Sequence, residues 1–343
     1  MHIWQEPAAL SGTCCRRIYM KLTVGLGSID QYIRFAKAGA DEFFCGYVPY
    51  SWSEKYGTVL PLNRREVLSC QVQLGAFEEL KILEKMKKEY DRQVHLTFNS
   101  LYYLPEQYQE IADIIVKCMK LGFQSFILAD PALMVYLREK KIPCEIHLSG
   151  ETGEVNRRMV EVFQRLNLKR IIFHRKNSFA DMKAVVEQEK AAGGSRAQTE
   201  FEAFVLNEQC QFTGAFCNSW HCDEMGYLCR IPCWLGKVKK CRENGENGDL
   251  TGMPEETGTD REDSGYLCGK TGCGLCALAR LREAGITHLK LVGRGNYADF
   301  MEKDIRSLKR ALEILEESEN DTYRRQMKQE LFQEGCSGNC YYR

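Results

Sequence analysis

The chain has 343 residues, and its 47 Lys and Arg balance 47 Asp and Glu, so no global basic field is available to gather nucleic acid. Hydrophobic residues make up 44% and charged residues 27%, and no apolar run approaches the roughly 20 residues that a membrane span needs. This composition argues against a membrane protein or a disordered one and leaves room for a single α/β barrel, which commonly takes about 250 residues.

Residues 1–17 contain Cys14-Cys15-Arg16-Arg17 but no apolar core of signal-peptide length, and Met20 directly precedes the first strand-like run. Residues 1–19 therefore read as an extension, with Met20 as the expected native start. From 20 to 206, short β-rich runs alternate with amphipathic stretches, the signature of βα units around a parallel sheet. Strand-like runs fall at 21–25, 42–46, 94–99, 125–130, 144–149, 170–174, 200–205 and 288–293, eight in all. Helical patterns with apolar residues at three-to-four spacing cover 28–38, 77–90, 105–121, 132–140, 154–166, 178–191 and 276–284. A long closing helix is expected from 297 to about 332, with a break near Asn320-Asp321.

The expected fold is an α/β chain forming a TIM-like (β/α)8 barrel, with a cysteine-rich insertion between strands 7 and 8. Its parts are the extension 1–19, barrel units 1–7 over 20–206, the insertion 207–276, the eighth strand and closing helix over 277–332, and a tail, 333–343. The tail carries Cys336 and Cys340 and reads as a mobile terminus, with docking or an added metal ligand as alternatives. Residues 47–65 are long for a βα loop, and their Tyr47, Tyr50, Trp52 and Tyr56 either line a ligand pocket or shield the barrel. The polar run 243–263 reads as a flexible loop.

In a parallel barrel the loops after the carboxyl ends of the strands converge on one face. The polar residues there are Asn99, Asp130, His147, Ser149, Glu151, His174, Arg175 and Glu202, of which Asn99, Asp130, Ser149, Arg175 and Glu202 form the candidate substrate-binding set. An arginine at that mouth suits a carboxylate or phosphate. Asn99 and Asp130 equally fit helix capping, and His147 reads as a core histidine.

Nine of the 17 cysteines crowd between Cys210 and Cys276, namely Cys210, Cys217, Cys222, Cys229, Cys233, Cys241, Cys268, Cys273 and Cys276. Disulfides suit small secreted domains, and no secretory signal is evident, so reduced thiolates holding a metal or cluster are favoured and the cytoplasm is the expected compartment. Four thiolates close either a zinc site or a [4Fe–4S] cluster. Only Cys273 and Cys276 show the C-x2-C spacing of zinc knuckles, which tilts the reading towards iron–sulfur. The segment starts directly after the seventh strand, so its ligands belong over the same face as the strand-end polar groups.

The run Glu202-Ala-Phe-Val-Leu-Asn-Glu-Gln-Cys210 with Cys217, and then Cys229-Arg-Ile-Pro-Cys233-Trp234, resembles the U32 peptidase family, the collagenase-like proteins. Ala38-Gly-Ala-Asp41 with Gly46, Phe98-Asn99, Ala129-Asp130, His147-Leu-Ser149, Arg175 and Leu289-Lys-Leu-Val-Gly-Arg294 follow in that family's order. The resemblance implies kinship with oxygen-independent hydroxylation proteins acting on ubiquinone precursors, tRNA wobble uridine or ribosomal RNA, some of which carry a [4Fe–4S] cluster. By motif position it names Cys210, Cys217, Cys229 and Cys273 as ligands, with Cys233 and Cys276 as the nearest substitutes. The chain departs from the family pattern at Leu206, which replaces a His, and at Lys176 and Val292, which each replace a Glu.

The leading expectation is an iron–sulfur enzyme that hydroxylates or otherwise modifies an RNA base or a small aromatic substrate. A peptidase, as the family name states, is the alternative. However, no H-E-x-x-H motif occurs among the six histidines, and neither Ser149 nor Cys45 sits in a known nucleophile context. A non-catalytic iron–sulfur scaffold is the third reading.

Overall fold

A computed structural model describes residues 19–57, 59–66, 72–210, 217, 265–333 and 335–342. Residues 1–18 of the extension 1–19, the polar run 243–263, and Cys70, Cys222, Cys229, Cys233 and Cys241 lie outside these residues. Among the described residues nine strands form one sheet: β1 (Lys21–Leu26), β2 (Glu42–Tyr47), β3 (Gln73–Leu74), β4 (Gln93–Phe98), β5 (Ser125–Leu128), β6 (Glu145–Leu148), β7 (Leu168–Phe173), β8 (Glu200–Leu206) and β9 (His288–Leu291). Every pairing is parallel, and β1 pairs with both β2 and β9, so the eight long staves close into a barrel. These staves are the eight runs read from sequence. β3 is an addition beside the end of β2, two residues long and too short to leave a sequence pattern.

Staves covered on both faces read as continuous apolar runs, and β2, Glu-Phe-Phe-Cys-Gly-Tyr, is buried at every position. Around them lie α1 (Gln31–Ala38), α2 (Tyr50–Tyr56), α3 (Phe77–Tyr90), α4 (Gln107–Leu121), α5 (Pro131–Glu139), α6 (Arg157–Phe163), α7 (Phe179–Ala192), α8 (Leu278–Glu283), α9 (Ala298–Glu317) and α10 (Asn320–Leu331). Gly39 and Gly122 end α1 and α4 at φ +117 and +119, a conformation that side chains resist. Ser178 and Asn156 cap α7 and α6 by accepting backbone N–H groups. α9 buries Met301, Ile305, Leu308, Ala311 and Leu315 on one face, and the expected break falls between Glu317 and Asn320. Among the described residues no helix is long and apolar enough to cross a membrane.

Residues 47–65 are not simply a loop, because α2 lies within them. Trp52 is fully buried, its indole N–H donates to the Leu60 carbonyl at 3.2 Å, and Tyr56 packs on its ring at 4.4 Å. Tyr47 joins the core outside the barrel, and Tyr50 is exposed beside Gly75. The shielding alternative therefore holds for Trp52 and Tyr56, and Tyr50 faces solvent.

Period-two alternation fills the barrel interior in layers. At the amino-terminal end, Arg170 donates to Glu42 at 2.8 Å, Glu200 at 2.7 Å and Glu202 at 2.7 Å. His95 lies 3.1 Å from Glu42 and 2.5 Å from the Ser125 hydroxyl, and Lys290 donates to Glu202 at 2.8 Å. Burial pushes the Glu42 carboxyl up, but His288 at 3.4 Å, the hydrogen bond with His95 and the charge of Arg170 outweigh it and hold it far below the usual range. Glu202 meets the same opposition: burial raises it, while Lys290 and Arg170 bring it down to about 2. Above this layer Phe44, Ile127, Ile172, Phe204 and Val292 form an apolar ring separate from the main core.

Candidate functional site

Above the apolar ring, the carboxyl ends of the staves open into a cavity whose charged lining is Arg64, Arg65, Arg175, Lys290 and Arg294 against Glu151 and Glu208. Lys290 already pairs with Glu202 below, so four guanidinium groups face two carboxylates. Arg64 Nη2 donates to the Cys217 carbonyl at 2.6 Å, and its Nε lies 3.6 Å from Glu151. Arg175 Cζ stands 3.9 Å over the Phe204 ring, with Nη1 3.7 Å from Glu151. Arg65 pairs with Glu208.

Arg294 is buried, and its Nη1 reaches Thr97 Oγ1 at 3.5 Å. It fits because Gly25 and Gly46 carry no side chains: a Cβ at Gly46 would lie 2.7 Å from Arg294 Nη1. Burial and then the charge of Arg65 pull its pKa down to about 10, a cost that an anionic ligand would relieve. The Nε groups of Arg64 and Arg175 are buried without a hydrogen-bond acceptor among the described residues. Lys290 Nζ stands 3.7 Å over the Phe44 ring, so two of the cavity's cations lie against aromatic faces.

Asn99, Ser149 and Arg175 of the sequence-derived set line this cavity. Asn99 accepts the Arg64 backbone N–H at 3.2 Å, and Ser149 Oγ accepts that of Glu151 at 3.2 Å, shaping the loop that carries Glu151. Asp130 instead caps α5 through Ala132 N at 2.8 Å and accepts Tyr103 N at 3.0 Å, while Glu202 lies one layer down with Arg170 and Lys290. His147 is buried against His95, their rings 4.6 Å apart. His174 accepts the Lys176 backbone N–H. The cavity's Arg64, Arg65, Lys290 and Arg294 were missed; the alternation that places Phe44, Phe204 and Lys290 inward was the available signal for the strand residues.

Cys217 accepts from the cavity's Arg64 through its carbonyl, and Cys210 lies four residues beyond the end of β8. Cys273 bridges Leu206 on that strand and Cys340 in the tail. Cys229 lies outside the described residues. The tail is docked, contrary to the expectation of a mobile terminus. Cys273 N donates to Asn339 O at 2.8 Å, Tyr341 N to Cys273 O at 2.9 Å, and Tyr342 Oη to Phe204 O at 2.8 Å. Gly272 and Gly274 make this possible, since a Cβ at Gly272 would come within 2.4 Å of the Tyr341 ring. Tyr341 packs on the apolar ring, with Arg175 close enough to counter the rise that burial imposes on its hydroxyl.

A search of curated protein sequences returns no match. Among solved structures, the U32 peptidase Mk0906 shares 12% identity over 60% of this chain and 74% of its own, at a TM-score of 0.40. A dihydrodipicolinate synthase from Bacillus clausii shares 11% over 92% of this chain and 79% of its own, at 0.44. A second dihydrodipicolinate synthase shares 8% over 92% and 81%, at 0.45. The family model for peptidase family U32 matches residues 27–339, which takes in every stave from β2 to β9 and the docked start of the tail. The chain belongs to peptidase family U32.

Proposed function

We propose that this chain is an iron–sulfur enzyme that binds a planar, anionic substrate at the barrel mouth and performs an oxygen-independent hydroxylation of an RNA base or a small aromatic molecule. The observation that carries the substrate class is the excess of guanidinium over carboxylate around Phe44 and Phe204. A carboxylate or phosphate would take the open Nε of Arg175 and offset Arg294, while a flat ring would lie on the aromatic faces. The hydroxylation part rests on the resemblance carried by the cysteine-bearing segment.

The donor chemistry fits the cofactor. Cys210, Cys217 and Cys273 are unbridged soft thiols, of which Cys210 follows β8 and Cys273 bridges its last residue. With Cys229 they are the set that would hold a [4Fe–4S] cluster, which supplies one-electron transfer when bound. The chain's own groups do the rest: Arg175 and Arg64 hold the anion, Asn99 and Ser149 fix the loops that carry Arg64 and Glu151, and Tyr341 covers Arg175.

Among the described residues, nothing at the mouth favours proteolysis over this reading. No histidine lines the cavity among the described residues, and burial pushes the Cys45 thiol up to about 12. Anaerobic purification with iron and sulfide analysis, beside binding of an aromatic carboxylate and its neutral amide, tests the proposal. Stoichiometric zinc without iron, or equal affinity for acid and amide, would sink it.

A further inference from the structure

A second cavity, of ≈ 540 Å³, lies between α8, α10 and the docked tail, and no residue lines both it and the barrel mouth. Its charged lining is Arg280 from α8 and Arg324 and Lys328 from α10, against a single carboxylate, Asp321. Arg324 and Lys328 stand four positions apart and so share one face of α10. Their neighbour Arg282 is matched, 3.1 Å from Glu316 and donating to Asn320 at 2.7 Å. Among the described residues, none of the three cavity cations is paired with a carboxylate. Arg280 Cζ stands 3.9 Å over the Phe179 ring, which packs on Tyr342 at 5.3 Å, and Tyr342 and Phe332 give the cavity apolar walls. Burial raises the Cys276 thiol while the charges of Lys328 and Arg324 lower it, so both cations reach the wall that carries Cys276. The tail is pinned over this space by Ser337 Oγ donating to Gly269 O at 2.8 Å and Asn339 Nδ2 to Lys270 O at 2.6 Å.

We infer that this cavity binds a small aromatic phosphate ester, with the phosphate among Arg280, Arg324 and Lys328 and the ring against Tyr342 and Phe332. Three cations against one carboxylate leave a surplus of positive charge that a phosphate monoester dianion matches. Guanidinium groups grip phosphate oxygens two at a time, and the lysine adds a point charge. The volume falls within the roughly 300–1,000 Å³ of small-molecule sites and is larger than a bare anion fills, so the ligand carries an organic body. Such a ligand bridges α10 and the tail, and Asn339 and Cys340 on the tail side run directly into Tyr341 beside Arg175. Occupancy therefore favours the docked tail by mass action and couples this cavity to the mouth.

The test is iodoacetamide footprinting of the anaerobically purified full chain, read by mass spectrometry at Cys276 and Cys336, which line this cavity and not the mouth. Phenyl phosphate is expected to protect both thiols at concentrations about tenfold or more below those needed of phenol or inorganic phosphate. The double variant Arg324→Gln/Lys328→Gln should weaken that protection by about tenfold or more, whereas Arg175→Ala at the mouth should leave it in place. Asp321→Asn removes the opposing carboxylate and should tighten protection about two- to threefold, a gain that misfolding does not produce. Absent protection, equal protection by phenol or inorganic phosphate, undiminished protection in the double variant, or weakening by Asp321→Asn overturns the inference. Protection lost in Arg175→Ala but kept in the double variant would place the ligand at the mouth, overturning this inference while leaving the proposed function standing.

Discussion

The two ends of the barrel interior use the same residue types to different ends. At the amino-terminal end Arg170 has a carboxylate for each side of its guanidinium, and Glu42 and Glu202 are each held by more than one cation or histidine. At the mouth, Arg294 is buried with a threonine hydroxyl as its hydrogen-bond acceptor, and Arg175 shares Glu151 with Arg64 at 3.6–3.7 Å. A closed set of charges supports the fold; an incomplete one is where the proposed anion would bind. Burial alone does not separate the two, because Arg170 and Arg294 are both nearly inaccessible. The partners do.

Removing a charge from the closed set should have the largest effect. Arg170→Met leaves Glu42 and Glu202 buried without their shared cation and is expected to cost about 3–5 kcal/mol in urea unfolding. A loss below about 1 kcal/mol would erase the distinction between the two ends. Acid should reach the same layer. Glu202 is held at about 2, below its unfolded value, so its contribution is present above about pH 4.3 and drains away as pH falls towards 2. Thermal melts from pH 6 to 3 should fall less steeply for Glu202→Gln than for wild type, and parallel slopes would exclude Glu202 as the source.

At the mouth the balance reverses, with binding changed more than stability. Arg175→Ala is expected to weaken an aromatic carboxylate by about 10–100-fold, the worth of a charge-assisted hydrogen bond. Arg294→Met should lower the same affinity about tenfold while leaving unfolding free energy unchanged or raised, since it removes a buried charge that makes no ion pair with a carboxylate among the described residues. A clear destabilisation there would place Arg294 with Arg170.

The smallest expected effect concerns Glu66, whose burial pushes it up to about 7 and whose charge bears on Arg294. Below that pH it is neutral and the mouth is more positive, so anion affinity should fall two- to threefold as pH rises through 7 (about 0.4–0.7 kcal/mol). Titrating binding in Glu66→Gln should give a flat profile, and a dependence identical to wild type would assign it elsewhere.

Much of this was legible in the chain. The eight staves, the break before α10 and three of the five mouth residues follow from short-range pattern, because strands covered on both faces and helices covered on one print their burial directly into sequence. Depth was not legible. Glu202 and Phe204 lie on the same strand two positions apart, both face inward, and only the assembled barrel shows that the first meets Arg170 while the second meets Arg175. The pairing of Arg170 with Glu42 spans 128 positions, which no local pattern encodes. The docked tail depends on Gly272 and Gly274 lying under Tyr341 and Tyr342, a fit of shapes rather than of composition.

The charged layer at the amino-terminal end also acts as a register key for barrel closure. Each stave that enters it must arrive with its ionisable residue at one height. A stave slipped by two residues keeps its inward face but carries a carboxylate or guanidinium into the apolar ring of Phe44, Ile127 and Ile172, where it would be buried without a partner. Apolar staves alone would tolerate that slip. The layer makes the stagger of the staves a condition of charge pairing, so a misaligned barrel is disfavoured by its charges.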